Sequence, residues 1–131
     1  MKNDMLKTAI ATSAAPAAIG PYSQAIRAGN LLFISGQLAI DAATASLIEG
    51  DIGTKTRKIL ANARAIAQAA GTDLDKVVKT TIFLTDLNNF KAVNEAYGEF
   101  FQDTPPARST IQVAGLPLGA EIEIEFIVLC N

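Results

Sequence analysis

The chain has 131 residues, half of them hydrophobic and 18% charged, with a net charge of −2. That is the length of one domain, 1–131, and its apolar excess predicts buried surface beyond a single core, as at a subunit interface. Histidine is absent and cysteine occurs once, which excludes Ser-His-Asp and Cys-His nucleophile systems, His/Cys zinc sites and an intrachain disulfide framework.

In chain order, the opening Met-Lys-Asn-Asp-Met-Leu-Lys has no apolar core of signal-peptide length. Residues 6–11 read as a first strand, and 12–22 as a loop punctuated by Pro16, Gly20 and Pro21. Residues 23–28 and 31–35 read as two strands joined by the turn pair Gly29-Asn30. Gly36 closes the second, extended chain continues over 37–40, and the small polar stretch 41–50 is a loop. Over 51–70 the period becomes helical: Ile52, Ile59, Ala63, Ile66 and Ala70 share a face, and Gly71 stands where a left-handed cap belongs.

The β-branched and aromatic run 77–84 predicts a central strand. Residues 85–89 offer several N-caps for a second helix, in which Phe90, Val93, Tyr97 and Phe100 form the apolar stripe and which Pro105-Pro106 closes. A strand over 109–114, a turn around Pro117 and a last strand over 121–129 complete the order β-β-β-α-β-α-β-β. Both helices then cover one face of a mixed sheet, giving an α+β two-layer sandwich. In the last strand Ile122, Ile124, Phe126 and Val128 fit the covered face. Glu121, Glu123 and Glu125 share the other side with Ile127 and Leu129. A face half acidic and half apolar suggests a subunit contact or a pocket.

Without histidine, catalysis must rest on carboxylates, Arg/Lys, hydroxyls, backbone dipoles or water. Arg108, fixed by two upstream prolines at the start of a strand, offers a planar fork for a carboxylate, with Ser109 and Thr110 adding hydroxyls. A surface arginine or a structural ion pair fits the same spacing. Glu123 sits among apolar neighbours that can tune its proton affinity, though nothing internal to the strand separates it from Glu121 or Glu125. Tyr22 follows a rigid Gly-Pro step, and Ser35-Gly36 ends a strand with a glycine that admits a ligand to the backbone. Asn94 stands one residue off the core stripe. Cys130 has no histidine to activate it and reads as an incidental thiol that fits a reducing compartment.

Taken together, Ile-Gly-Pro-Tyr-Ser-Gln-Ala, Leu-Phe-Ile-Ser-Gly-Gln, Val-Lys-Thr-Thr-Ile-Phe-Leu-Thr-Asp-Leu, Val-Asn-Glu-Ala-Tyr, Pro-Ala-Arg-Ser-Thr and Ile-Glu-Ile-Glu resemble the RidA/YjgF/UK114 family over 9–129. The resemblance implies a chorismate-mutase-like fold and a homotrimer with three clefts between subunits. It also implies hydrolysis of reactive enamines and imines, such as 2-aminoacrylate, to 2-keto acids and ammonia. No metal or organic cofactor is implied.

By the same resemblance Arg108 clamps the substrate carboxylate and Glu123 holds and activates water. Tyr22, Ser35, Gly36, Asn94, Ser109 and Thr110 line the cleft, some of them from the neighbouring subunit. Thr110 departs from the cysteine many members carry there, which removes thiol chemistry at that position. The alternatives are a small-ligand-binding or chaperone-like trimer without catalysis, and an endoribonuclease. The second conflicts with the missing histidine, the negative net charge and the lack of a basic stripe. No run nears the ~20 apolar residues of a membrane span, so a cytoplasmic protein with no membrane partner is expected.

Overall fold

The computed structural model describes residues 6–131, so the reading of the opening residues 1–5 lies outside the described residues. Three strands lead, β1 (Lys7–Ile10), β2 (Ala25–Ala28) and β3 (Leu31–Gln37), followed by a short hairpin of β4 (Ile40–Asp41) and β5 (Ser46–Leu47). Helix α1 (Ile52–Ala69), strand β6 (Val77–Leu84), helix α2 (Phe90–Gly98), strand β7 (Ala107–Gln112) and strand β8 (Ile122–Leu129) complete the chain. Apart from the hairpin, this is the element order the sequence predicts.

The six long strands form one sheet in the order β1-β2-β3-β8-β6-β7. β8 lies antiparallel to both β3 and β6, and β7 runs parallel to β6. A parallel pair cannot be closed by a tight turn, so α2 is the crossover from β6 to β7. α1 likewise links β3 to β6, and β8 inserts between them last. Both helices pack on one face, over Leu32, Ile34, Ile82, Ile122, Ile124 and Phe126, each at most 3% exposed. α1 contributes Ile59, Leu60, Ala63 and Ile66 to that layer, and α2 contributes Val93 and Tyr97. None of the described helices is long and apolar enough to cross a membrane.

Local chemistry explains the boundaries. Asp51 caps α1 by accepting a hydrogen bond from Thr54 N at 2.8 Å. At the other end Gly71 takes φ +84°, while Gly71 N and Thr72 N bond back to the carbonyls of Gln68 and Ala67. That paired pattern closes a helix on a left-handed residue, as the sequence predicts.

Three expectations change. The stretch read as a loop over 41–50 contains β4 and β5, because Asp41 Oδ1 takes the Ala43 amide at 2.9 Å and Ala45 turns the chain at φ +58°. A left-handed alanine carries no sequence signal. Asn62 of α1 then donates to Ile40 O at 2.9 Å and fixes the hairpin to the helix. Strand β3 runs through Gly36 to Gln37, across an irregularity opposite β8 that keeps Gln37 on the covered face. In α2 the stripe rotates: Phe90 is 40% exposed, and Phe101, beyond the helix, is buried in its place.

The opposite face of the sheet is bare among the described residues. Phe33, Ile111 and Leu129 stand 40–45% exposed there, beside a hollow of about 310 Å3 lined by Ile26, Phe33, Ser35, Lys79, Thr81, Glu125 and Ile127.

Candidate active site

The alternation of β8 sends Glu123 to the bare face, opposite Phe83 of β6. On its other flank lies Gly36 of β3, and the glycine is required there. A Cβ at position 36 would lie 1.8 Å from Glu123 Oε2 and 2.8 Å from its Cδ. The close approach that the sequence assigns to a ligand is thus made first by the Glu123 carboxylate. Half-buried, that carboxyl is pushed above its ordinary pKa, mainly by desolvation and further by the charge of Glu125. Glu123 is thereby distinguished from Glu121, which is drawn into an ion pair with Lys55 at 2.7 Å.

Ser35 lies next to Gly36. Its hydroxyl donates to Ser23 O at 2.6 Å and its amide to Gln24 O at 3.0 Å, which fastens the end of the 12–24 segment to β3. Tyr22 sits just before that clamp, 54% exposed. Glu123, Gly36 and Ser35 therefore come together as one group, with Tyr22 one residue before the Ser23 carbonyl that Ser35 holds.

Arg108 belongs to a second group. It pairs in register with Thr80, which pairs with Phe126, so it points to the helix-covered side at the sheet's edge strand. Its guanidinium lies 5.1 Å from the ring centre of Tyr97 and 5.5 Å from that of Phe90, both on α2. Contact with aromatic faces steadies a guanidinium and leaves its in-plane N–H donors available. Among the described residues it has no carboxylate partner.

The Tyr97 hydroxyl lies 2.7 Å from Thr80 Oγ1 in the core. Burial raises the Tyr97 pKa, against the opposing effects of Thr80 and Arg108, so the ring stays neutral beneath the cation. Thr110 shares the covered face of β7 with Arg108, and Asn94 lies one turn after Phe90 on α2; Asn94 Oδ1 and Thr110 Oγ1 are shielded from solvent without a hydrogen-bond partner among the described residues. Ser109 does not join them. It pairs with Thr81 and faces the bare side.

Within one chain these groups do not meet. Arg108 and Glu123 stand on opposite faces, two strand spacings (about 10 Å) apart across the sheet and three residues (about 10 Å) apart along it. Phe90 and Tyr97, which cradle Arg108, are not site residues by sequence reasoning. Their signal was present: positions 90, 94 and 97 share one helical face. Which strand edge that face meets is a tertiary property.

A family model described as endoribonuclease L-PSP matches residues 12–130. YyfA of Yersinia pestis, described as a member of the conserved Rid protein family, superposes with a TM-score of 0.92 at 50% identity, over 95% of this chain and 99% of that one. This chain belongs to the Rid (RidA/YjgF) family. Among its Rid relatives, a goat 2-iminobutanoate/2-iminopropanoate deaminase (Capra hircus) is 44% identical over 127 residues, 97% of this chain and 93% of that protein. Escherichia coli TdcF, solved with bound serine, superposes with a TM-score of 0.89 at 40% identity, over 95% of this chain and 99% of its own. The α+β sandwich, with two helices on one face of a mixed sheet, is thus the Rid fold.

Proposed function

We propose that this protein is an imine/enamine deaminase that hydrolyses 2-imino acids, such as the imine tautomer of 2-aminoacrylate, to 2-keto acids and ammonia in a site shared by two subunits. The observation that carries the reading is Arg108: a guanidinium laid on two aromatic rings with no carboxylate partner among the described residues. Such a fork is complementary to the carboxylate of a small substrate. The naming of the goat relative as a 2-iminobutanoate/2-iminopropanoate deaminase, and an amino acid bound by TdcF, agree with that class.

The chemistry suits a chain without histidine. A protonated imine is already electrophilic at C2, so positioning the substrate and one water supplies much of the barrier reduction. Arg108 holds the carboxylate. Glu123, ionised, takes a proton as the water oxygen bonds to C2, and the carbinolamine forms. The proton passes to nitrogen; as the C–N bond breaks with its electrons going to nitrogen, C2 and the hydroxyl oxygen form the carbonyl, Glu123 relays the hydroxyl proton to the departing ammonia, and keto acid and ammonium leave. Glu123 ends as it began, and no cofactor is consumed. Asn94 and Thr110 line the Arg108 side; Tyr22, Ser35, Gly36 and Ser109 belong to the other face.

Because the two groups lie on opposite faces of one chain, the complete site requires a second copy. The bare sheet face, apolar at Phe33, Ile127 and Leu129, is the surface that copy would cover, in a homotrimer. The test is an assay that generates 2-aminoacrylate and traps survivors with semicarbazide. Pyruvate formation is expected to accelerate with wild-type protein and to lose nearly all of that acceleration with Arg108→Ala, the assembly remaining intact. An unchanged rate in the variant would refute the role of Arg108. Protein-independent hydrolysis with tight carboxylate binding would favour a ligand-binding module instead. An endoribonuclease activity finds neither an imidazole nor a basic stripe to support it.

A further inference from the structure

The most heavily bonded side chain outside both groups is Gln24, a buried amide at 4% exposure. Its Oε1 accepts from Thr12 N at 2.7 Å. Its Nε2 donates toward Pro16 O at 2.7 Å and Thr12 O at 3.1 Å, with Ala15 O at 3.3 Å sharing one of the two protons. One carboxamide thus satisfies the backbone of an irregular turn that no strand pairs with, and Ala15 beneath it is 2% exposed. A buried network so fully satisfied specifies one arrangement, because losing a member leaves backbone groups unpaired.

That turn is one wall of a groove of about 460 Å3. Thr12, Ser13, Ala17 and Ala18 stand on one side and Tyr22 and Ser23 on the other, with Gln24 among the lining residues. The Tyr22 side is held independently, by the bonds from Ser35 to Ser23 O and Gln24 O. The two walls therefore meet at a single residue: Gln24's backbone is fixed to β3 beside Gly36, and its side chain fixes the facing turn.

We infer that Gln24 is a positioning residue, which sets the turn over 12–18 against Tyr22 and thereby shapes the approach to the Glu123 corner. The inference rests on the proposed placing of Tyr22 in the cleft, and its test separates the two. The chain has only two tyrosines and no tryptophan, so protein labelled with 3-fluorotyrosine gives two 19F resonances, one from Tyr22 and one from Tyr97.

Gln24→Glu keeps the shape and the acceptor but removes both donors and sets a carboxylate against three carbonyls. It is expected to shift or broaden the Tyr22 resonance while leaving that of Tyr97 in place, and to raise KM for the imine at least about tenfold with a smaller change in kcat. Thr12→Pro removes the N–H that donates to Oε1, together with the exposed hydroxyl that accepts from Ala14 N at 3.2 Å, and leaves the buried residue intact. It is expected to act in the same direction to a lesser degree, and it decides the matter if the first variant does not fold. Variants with lowered thermal stability but an unmoved Tyr22 resonance and unchanged KM, measured well below the melting temperature, would overturn the inference. A Tyr22 resonance that moves while KM stays put would support the bracing and refute the placing of Tyr22 in the cleft.

Discussion

The residue with the narrowest tolerance is Gly36. Its φ lies outside the left-handed region, so what excludes a side chain is the Glu123 carboxylate lying on it. Gly36→Ala would displace that carboxylate while sparing the core, because the obstructing atoms end a flexible side chain. The expected result is a loss of kcat/KM of about 10²-fold, the usual consequence of moving a catalytic group by an ångström, with little change in melting temperature. Burial, and to a lesser extent the charge of Glu125, sets the other property of the same carboxyl. Glu123 must be ionised to take a proton from water, so activity falls as pH drops through its raised pKa, and the acid limb of kcat/KM lies above the ordinary value of 4.5. Glu125→Gln removes the repulsive contribution and leaves burial. The limb is expected to move to lower pH without returning fully to the ordinary value; a limb that stays or rises would exclude the coupling.

At the scale of elements, helix α1 shows what sequence reading delivers. Its apolar face and its terminal glycine are local signals, and each is realised within a residue or two. Gly71 at φ +84° predicts that Gly71→Ala costs about 1–2 kcal/mol, the penalty for an L-residue in the left-handed region, read as a lower urea midpoint with an unchanged slope. Elsewhere the local signal runs out. The β4–β5 hairpin turns on Ala45, a residue with no preference for φ +58°, and is held by Asn62 from a distant helix. Phe90 follows the helical period, yet lies half in solvent because its neighbour is the Arg108 side chain of an edge strand. For Arg108, the two prolines and the strand start marked a candidate; the aromatic ledge that holds its fork exists only once α2 is laid beside β7.

For the molecule as a whole, the decisive geometry is that Arg108 and Glu123 face opposite sides of one sheet. A site using both takes one residue from each of two copies, which predicts complementation. Arg108→Ala and Glu123→Gln subunits are each expected to be inactive alone. Unfolded together and refolded as mixed oligomers, they regain about one wild-type site in four by random pairing across heterologous contacts. No recovery from mixed oligomers would mean that one chain supplies the whole site. By itself the sequence determined the order of the two helices and the six strands of the main sheet, the covered face of β8, the candidate residues and the exclusion of histidine chemistry, since these follow from composition, periodicity and short motifs. Only the tertiary structure decided that Glu123 rather than Glu121 lies on Gly36, that Arg108 rests on Phe90 and Tyr97, and that the two are kept apart. Those depend on strand order and register, in which β8, last in the chain, enters the middle of the sheet between β3 and β6. Contacts between residues so distant in sequence leave no periodic trace along it.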